Sequence, residues 1–327
     1  MRAELLFTFP AGRVASACGS WYINHLSKGI IMDQPRNTVV AIIGLGLLGA
    51  SLGMALRGGV YRRIGWTRRE SIRRWAVDCD VLDECGDSLE ETLGKADLTL
   101  FALPLPEIEH YLMTYASCFR PGSVVSDLGS CKSGVMKAAL CLRPYGVHFI
   151  GGHPMAGTEK SGPESAFPTL YRNADVFVCP YEDSPEDAVR MVEELWQSVG
   201  TRTSRISAAR HDDLVAHTSH VLHILASALA LSILDSPDGK TKLERFRGCA
   251  TGFRDTSRIA SSSPIMWREI IENNREYVLG AMRDFDRRYE KFRRLIESGD
   301  FDGFEREFAE GKLLRDSWLE YKSREQE

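Results

Sequence analysis

The sequence predicts an α/β domain built on a parallel sheet, followed by an all-α domain. Between residues 39 and 206, short apolar runs alternate with segments of helical period, which is typical of a doubly wound parallel sheet. Beyond residue 207, the segments 211–234, 265–298 and 301–321 are long and helical in period, and no good strand pattern remains. This change of character marks a boundary between two domains.

Length and composition limit the classes of protein that the chain can belong to. Its 327 residues suit about two domains. With 43% hydrophobic and 26% charged residues, the composition is ordinary for a globular protein. A net charge of −4 shows no basic excess, which argues against nucleic acid or an anionic membrane as a partner. The eight cysteines form no C-x-x-C pair, which argues against a zinc site or disulfide scaffold and favours reduced thiols in the cytoplasm.

The chain begins with a segment that differs from the rest. The first 31 residues contain one acid, Glu4, and lie upstream of the first predicted strand. A transit peptide for organellar import is acid-poor in this way, whereas a start at Met32 would be a compact opening for the domain. We assign no function to the extension, 1–34, and expect it to be poorly ordered. The nucleotide-binding domain then covers 35–206 and the helical domain 207–327.

A glycine-rich turn follows the first predicted strand. The apolar run Val39–Ile43 leads into Gly44, Gly46 and Gly49, which complete the pattern G-x-G-x-x-G before an apolar helix. In this context the glycines permit a tight turn, a close approach of a pyrophosphate, and close packing of helix on strand. The free N–H groups of the helix also suit phosphate. The uncharged stretch Thr38–Leu56 is nearly long enough to cross a membrane, but its glycines and the alternation that follows favour dinucleotide binding.

The end of the second predicted strand, Tyr61–Trp66, bears on the choice of cofactor. An acid there, about twenty residues after the glycines, would bind the ribose 2′-hydroxyl of NAD, whereas arginine accommodates the 2′-phosphate of NADP. Here Thr67 is followed by Arg68 and Arg69, and the first acid is Glu70. Guanidinium groups bind phosphate well, so the sequence favours NADP over NAD. The alternative is that both arginines only begin a solvated helix.

Two further strand ends contribute to the predicted site. The strand Leu98–Leu103 is ended by Pro104, and its loop should lie at the carboxyl edge of the sheet, where ligands bind. The strand Ser123–Asp127 leads into a loop in which Ser130 and Lys132 are expected to be exposed near the nicotinamide. The predicted cofactor-binding residues are Gly44, Gly46, Leu47, Leu48, Gly49, Thr67, Arg68, Arg69, Leu103 and Pro104.

His153 lies in a glycine-rich stretch from Phe149 to Gly162, which is predicted to be a loop. Because proline follows it, His153 is restrained to an extended conformation. A histidine in a loop is usually only solvated. At a strand end, beside glycines that let a ligand come close, it becomes a candidate for acid–base chemistry.

The first helical segment contains the sequence HDDLVAHTSHVLH, with four of the eight histidines. His217, His220 and His223 repeat at three-residue spacing, which raises the possibility of a metal site. On a helix, however, the first and last lie about 240° apart, so the three cannot bind one ion from one face. Ser219 and His223 are four residues apart and share a face, which fits the polar wall of a pocket better.

Two arginines follow in GFRDTSRI. Arg254 and Arg258 are four residues apart, and one of them directed into a pocket would bind a carboxylate. The alternative is a pair of surface salt-bridge arginines, which contribute little. The long amphipathic helices beyond them suit a helical dimer interface, although a monomeric bundle would have the same pattern.

Taken together, these motifs resemble the prephenate/arogenate dehydrogenase family of tyrosine biosynthesis. The resemblance extends from about Val39 to Arg293 and rests on IIGLGLLGASLG, SDLGSCKSG, GGHPMAGTEKSG, HDDLVAHTSHVLH and GFRDTSRIASSSPIMWREI. It implies an α/β Rossmann-type nucleotide-binding domain followed by an all-α helical dimerisation domain, and hence a homodimer. It also implies an NAD(P)-dependent oxidation at C4 of a cyclohexadienol ring with loss of CO2, which converts prephenate to 4-hydroxyphenylpyruvate or arogenate to tyrosine.

The resemblance also implies roles for individual residues, and we assign no residue to a metal. His153 accepts a hydrogen bond or proton at the C4 hydroxyl, and Ser130 helps to orient either group. Substrate binding falls to Arg258, Ser219 and His223, with Arg254 as a further candidate for the carboxylate. As a hypothesis, three residues in the matching loops form a polar gate: Glu159, His211 and Asp255.

Two departures and two alternatives accompany this interpretation. Thr67 stands where NAD-dependent members tend to carry an acid, and Leu222 where proline is common.

A dehydrogenase of the β-hydroxyacid type has the same domain plan, but it would use a lysine on its inter-domain helix where this chain offers histidine and serine. A non-catalytic NADP(H)-binding sensor would bind the cofactor without turnover.

Overall fold

The computed structural model describes residues 38–157 and 160–324. The expectations for the extension 1–34 and for Glu159 therefore concern residues outside the described ranges. Within them, the last strand ends at Arg205 and the first helix of the second domain begins at Ala208.

A six-stranded, fully parallel sheet forms the centre of the first domain. Its strands are β1 (Thr38–Ile43), β2 (Tyr61–Trp66), β3 (Glu84–Cys85), β4 (Leu98–Phe101), β5 (Val124–Asp127) and β6 (His148–Phe149). They lie in the order β3-β2-β1-β4-β5-β6 with parallel pairing throughout. This order is the Rossmann arrangement, in which ligands bind where the strand order reverses, between β1 and β4. The predicted α/β class is confirmed.

Helices cover both faces of this sheet. They are α1 (Leu47–Ala55), α2 (Glu70–Asp78), α3 (Leu89–Lys95), α4 (Leu105–Thr114), α5 (Ser133–Ala139) and α6 (Glu186–Ser198). In β1, Val40 and Ile42 belong to one apolar cluster, and Ala41 and Ile43 belong to the other; all four are fully buried. Successive side chains of a strand point to opposite faces, so an uninterrupted apolar run is needed where both faces are covered.

A second, three-stranded sheet carries the predicted histidine. It consists of β7 (Gly151–Pro154), β8 (Asp175–Cys179) and β9 (Arg202–Arg205). The prediction of a loop around His153 is wrong at this position, because β7 pairs with β8 and sets His153 opposite Phe177. The extended conformation expected before proline is what allows the residue to join a strand.

The second domain is helical throughout the residues described. Its helices are α7 (Ala208–Val215), α8 (Val221–Leu234), α9 (Gly239–Gly248), α10 (Thr251–Ser257), α11 (Pro264–Asn273), α12 (Arg275–Ser298) and α13 (Phe301–Arg324). Two predicted continuous helices are interrupted. A π turn, Ala216–His220, separates α7 from α8, and Asn274 breaks the run between α11 and α12.

The helical domain buries little of its own apolar surface. Its largest cluster of buried residues consists of Ala216, Val221, Val278 and Ala281. In α13, large apolar side chains such as Leu313 and Leu314 are about two-thirds exposed. The run Ala208–Leu234 is long and apolar enough to cross a membrane by length and composition alone, and 28% of its most apolar window is buried.

Candidate active site

The glycine turn after β1 leaves room for a phosphate at the start of α1. Gly44 has φ +97°, and a Cβ there would lie 2.5 Å from the carbonyl oxygen of Ala102. A Cβ at Gly49 would lie 1.9 Å from the carbonyl oxygen of Gly44, so this glycine allows α1 to pack on the turn. By contrast, a Cβ at Gly46 would meet no atom within 4 Å, and Gly46 begins the helix without a side-chain cap. The open space and the uncapped N–H groups suit a pyrophosphate.

The strand ends next to this turn form the rest of the predicted cofactor site. Gly44 N donates to the carbonyl oxygen of Trp66 at 3.0 Å, which ties the turn to the end of β2. On the other side, Leu103 packs so closely that a Cβ at Gly44 would lie 2.7 Å from its Cδ2. Pro104 precedes the first turn of α4. Leu47 and Leu48 begin α1, so all of these backbone positions lie around the glycine turn at the carboxyl edge of the sheet.

Arginines surround the end of β2. Arg68 Nη2 lies 3.1 Å from Glu107 Oε1 of α4; the side chain of Arg68 is exposed, whereas that of Glu107 is partly buried. Arg73 Nη1 donates to the carbonyl oxygen of Thr67 at 2.6 Å and so holds the turn that presents Arg68 and Arg69. Glu70, the first acid after these arginines in the sequence, is paired with Arg74 along α2.

His153 lies within a chain of three hydrogen-bonding side chains. Its ring is 9% exposed, and its Nδ1 lies 2.8 Å from Nε2 of His211. Nδ1 of His211 in turn lies 2.8 Å from Oδ1 of Asp212. Burial lowers the pKa of His153 well below its usual range, and the nearby charges of His211, Lys132 and His220 lower it further. His153 is therefore neutral at physiological pH and can accept a proton.

Asp212 joins the two domains. Its two carboxylate oxygens accept hydrogen bonds at 2.8 Å from the backbone N–H groups of Lys132 and Ser133, in the loop after β5. Burial opposes its ionisation, but the hydrogen bonds from His211, Ser133 and the backbone outweigh that effect and lower the pKa of Asp212. Asp212 is thus a buried carboxylate whose acceptor positions are occupied.

The expectation that Lys132 is exposed is wrong. Its side chain is fully buried and forms an ion pair with the equally buried Asp127. Asp127 also accepts hydrogen bonds from the N–H groups of Gly129, at 2.9 Å, and Gly152, at 3.1 Å. A Cβ at Gly151 would lie 3.0 Å from Lys132 Cδ, so the two glycines before His153 make room for this pair. The carboxylate of Asp127 is thus both paired and hydrogen-bonded, as a buried charge requires.

The helical domain contributes a polar and aromatic wall. His223 stacks on Trp267 with ring centroids 3.8 Å apart, and its Nδ1 donates to the carbonyl oxygen of Ser219 at 3.0 Å. Burial lowers the pKa of His223, and the charge of Arg258, which begins the short 3-10 turn after α10, lowers it further. His220, edge-on to Trp267, is buried. Arg258 and His223 are therefore close neighbours on one wall.

The remaining predicted residues lie in different surroundings. His211 does not fit the gate hypothesis, because it is fully buried behind His153 and not at an entrance. Arg254 and Asp255 are exposed and pair with each other at 3.1 Å. Ser130 is half-buried in the loop after β5, whereas Nδ1 of His153 contacts His211. Within residues 38–157 and 160–324, no group of three or more His, Cys, Asp or Glu side chains is placed to bind a metal.

Comparison with known proteins gives the family. Residues 53–205 match the family model described as "Prephenate dehydrogenase, nucleotide-binding domain", and residues 207–310 match "Prephenate dehydrogenase, dimerization domain". Prephenate dehydrogenase of Bacillus subtilis is 31% identical over 288 residues, which cover 87% of this chain and 77% of that protein. The chain belongs to the prephenate dehydrogenase family. It is accordingly an NAD(P)-dependent oxidoreductase.

Solved structures of the family have the same fold over most of the chain. Prephenate dehydrogenase of A. aeolicus, determined with hydroxyphenyl propionate and NAD+, superposes with a TM-score of 0.78 at 28% identity and covers 86% of this chain and 98% of its own. Synechocystis arogenate dehydrogenase superposes with a TM-score of 0.77 at 27% identity and covers 86% of this chain and 100% of its own.

Two residues of the site were not predicted from the sequence: Asp212, and Trp267, on which His223 stacks. Asp212 follows His211 directly, and an acid next to a histidine is an available signal for a hydrogen-bonded pair. Trp267 lies 44 positions after His223, and nothing in the spacing relates the two. The burial of Lys132 had a signal in Asp127, five positions earlier, since a lysine and an aspartate flanking one short loop can pair.

Proposed function

We propose that this protein catalyses the oxidative decarboxylation of prephenate or arogenate in tyrosine biosynthesis. The observation that carries the proposal is the buried, neutral His153 within the cofactor-binding domain, together with a wall of the helical domain that contains His223 and Arg258. When bound, the nicotinamide accepts the hydride that leaves C4 of the ring. His153 takes the proton of the C4 hydroxyl, and the new carbonyl together with loss of CO2 gives the aromatic product.

The substrate carries carboxylates that need cationic partners. Arg258 is exposed and its charge acts on the neighbouring His223, so its guanidinium supplies positive charge and hydrogen-bond donors on this wall. A guanidinium binds a carboxylate through two parallel hydrogen bonds. We assign Arg258 to a substrate carboxylate, His223 and Ser219 to the pocket wall, and Ser130 to the C4 hydroxyl. Arg254 and Asp255, paired on the surface, are assigned no contact with the ring.

The cofactor in this proposal is NADP in preference to NAD. Three arginines, Arg68, Arg69 and Arg73, lie at the end of β2. The two acids nearby are both paired, Glu107 with Arg68 and Glu70 with Arg74. A 2′-phosphate would therefore meet guanidinium groups and no free carboxylate. Arg68→Ala should weaken NADP binding more than NAD binding, whereas Arg74→Ala, on the same helix, should affect both equally. Equal effects of both variants on both cofactors would contradict the assignment.

The oligomer and its location complete the proposal. Exposed apolar side chains on α13, including Leu313 and Trp318, and on α8, including Leu231, support a homodimer through the helical domain. In the apolar run Ala208–Leu234, α7 packs on the first domain, and we assign the exposed apolar side chains of α8 to this interface and not to a membrane. The seven cysteines of the described ranges are free thiols, which supports a cytoplasmic location. Light scattering of the purified protein tests the dimer, and a monomeric mass would refute it.

A two-by-two initial-rate assay tests the reaction. Prephenate or arogenate is combined with NAD or NADP, and nicotinamide absorbance is followed. A strong rate with one substrate supports the reaction, and the cofactor giving the higher kcat/KM tests the NADP preference. The absence of a rate in all four combinations, with folded protein that still binds cofactor, would refute the proposal and favour a hydroxyacid dehydrogenase or a cofactor-binding sensor.

A further inference from the structure

We propose that His211 and Asp212 are positioning residues that fix the tautomer of His153 and leave its Nε2 free to accept the substrate proton. This inference rests on the proposed function for the identity of the proton donor, but the tautomer itself is a property of the protein. His211 makes two short contacts, one to Asp212 and one to His153, each 2.8 Å long.

The direction of each hydrogen bond follows from the carboxylate. Asp212 is ionised and can only accept, so Nδ1 of His211 must carry the proton that it donates to Oδ1. Burial lowers the pKa of His211, and the opposing effect of Asp212 is smaller, so the ring is neutral and its Nε2 is an acceptor. The proton between the two rings then belongs to Nδ1 of His153. A neutral histidine that carries its proton on Nδ1 has a lone pair on Nε2.

Packing holds the three side chains in this arrangement. His211 lies between two aromatic rings, with Phe177 edge-on at a centroid distance of 5.7 Å and His153 at 5.0 Å. Both oxygens of Asp212 are fixed by backbone N–H groups, those of Lys132 and Ser133. These contacts hold the ring of His211 in the orientation that joins Asp212 to His153.

The arrangement depends on the contact between the two domains. His153 and the N–H groups that hold Asp212 come from the nucleotide-binding domain, whereas His211 and Asp212 come from α7, the first helix of the helical domain. The proton acceptor is thus prepared only where α7 docks on β7 and on the loop after β5.

The proposed proton transfer is balanced. The O–H bond of the C4 hydroxyl breaks and an N–H bond forms at Nε2 of His153, while C4 gives its hydride to the nicotinamide. His153 becomes an imidazolium whose Nδ1–H donates to His211, and that hydrogen bond is strengthened by the new charge. Asp212 stays ionised and stabilises the pair, as an orienting carboxylate does in other histidine-based sites. When CO2 leaves, the electron pair of the broken C–C bond would complete the aromatic ring and leave a phenolate oxygen, which takes the proton back from Nε2 of His153.

The tautomer can be measured without substrate. Protein labelled with 15N-histidine, with NADP bound and at about pH 8 where neutral histidine is the main form, should show His153 protonated on Nδ1 and unprotonated on Nε2. The signal is identified by its loss in His153→Gln. A His153 that carries its proton on Nε2 would overturn the inference, whatever the substrate of the enzyme proves to be.

A pair of substitutions at one position separates positioning from packing. His211→Asn keeps a donor for Asp212 but does not reach His153, so kcat should fall by about 10²–10³ with little change in KM. His211→Gln places an amide oxygen near the position of Nε2 and should recover at least about tenfold of that loss. His217→Asn, an exposed site on the same helical run, controls for the loss of a histidine. Equal losses in the Asn and Gln variants would refute the positioning role.

The two tests also distinguish failure of this inference from failure of the proposed function. If no rate is found with prephenate or arogenate but His153 is protonated on Nδ1 in the wild type and loses that state in His211→Asn, the positioning role stands and the substrate assignment is wrong. If the enzyme is active and the tautomer is the other one, the substrate assignment stands and the positioning role is wrong.

Discussion

The burial of His220 predicts a loss of stability in acid that one substitution should reduce. The side chain is 1% exposed, and its Nδ1 accepts a hydrogen bond from Asn274 Nδ2 at 3.0 Å. Burial lowers the pKa of His220 from 6.5 to about 4. Because the unfolded chain binds this proton at higher pH than the folded protein, stability is retained above 6.5 and lost as the pH falls below it. At about pH 5 the loss from this one group is about 2 kcal/mol, since each pKa unit corresponds to about 1.4 kcal/mol.

His220→Asn keeps an acceptor for Asn274 but has no proton to gain. Urea unfolding at about pH 7.5 and about pH 5, at one protein concentration, should therefore show a smaller acid-induced loss for this variant than for the wild type, by about 2 kcal/mol. If the variant loses as much stability as the wild type over that interval, the burial of a neutral His220 is not the source of the pH dependence.

His217→Asn is the matched control, with the opposite sign. His217 is exposed, and hydrogen bonds to the carbonyl oxygen of Asp213 and to Asp284 raise its pKa above 6.5, although burial opposes them. Its stabilising contribution is present below 6.5 and is lost as the pH rises through the folded-state pKa. The control variant should therefore lose more stability in acid than the wild type. A smaller loss would mean that the two histidines are not distinguished by burial.

Four further substitutions test the site and the glycine turn. His153→Asn should lower kcat by about 10²–10⁴, because the proton acceptor is lost, while titration shows cofactor affinity near that of the wild type; a near-normal kcat would exclude His153 from the reaction. Arg258→Ala should mainly raise KM for the substrate, since a charge-assisted contact is lost, and an unchanged KM in steady-state kinetics would pass that role to another residue. Gly49→Ala should lower the free energy of unfolding by about 1–3 kcal/mol, because the new Cβ would lie 1.9 Å from the carbonyl oxygen of Gly44. Gly46→Ala, which meets no protein atom within 4 Å, should unfold like the wild type yet bind the dinucleotide more weakly, and unaltered binding would contradict the assignment of that space to the pyrophosphate.

The elements of the first domain were predictable where their signals are local. The strand Tyr61–Trp66 has the predicted bounds, and β1 begins one residue earlier than its apolar run. Apolar runs and glycine turns are properties of a few consecutive residues, so they can be read without knowledge of the partner strands. The two-residue strand β3 and the short helix α5 were not predicted, because so few residues carry no periodicity.

The interruptions of the long helices were not predictable from their pattern. Asn274 breaks the run 265–298, and its Nδ2 donates both to the carbonyl oxygen of Asp212 and to His220. The π turn Ala216–His220 lies where α7 passes into α8 beside the site. The apolar period continues across both breaks, so the breaks are decided by hydrogen bonds to other helices and not by local propensity.

The sequence alone determined the order of strands and helices, the glycine turn, and the candidates His153, Arg258 and His223, because each depends on residue type and short spacing. Tertiary structure decided which polar groups are buried together. His153 and His211 are 58 positions apart, and their hydrogen bond exists because α7 docks on the second sheet. That docking also buries Asp212 on the N–H groups of the loop after β5. Burial shifts the pKa of a polar group and makes a hydrogen-bonding partner necessary. Which groups are buried depends on how the whole chain packs.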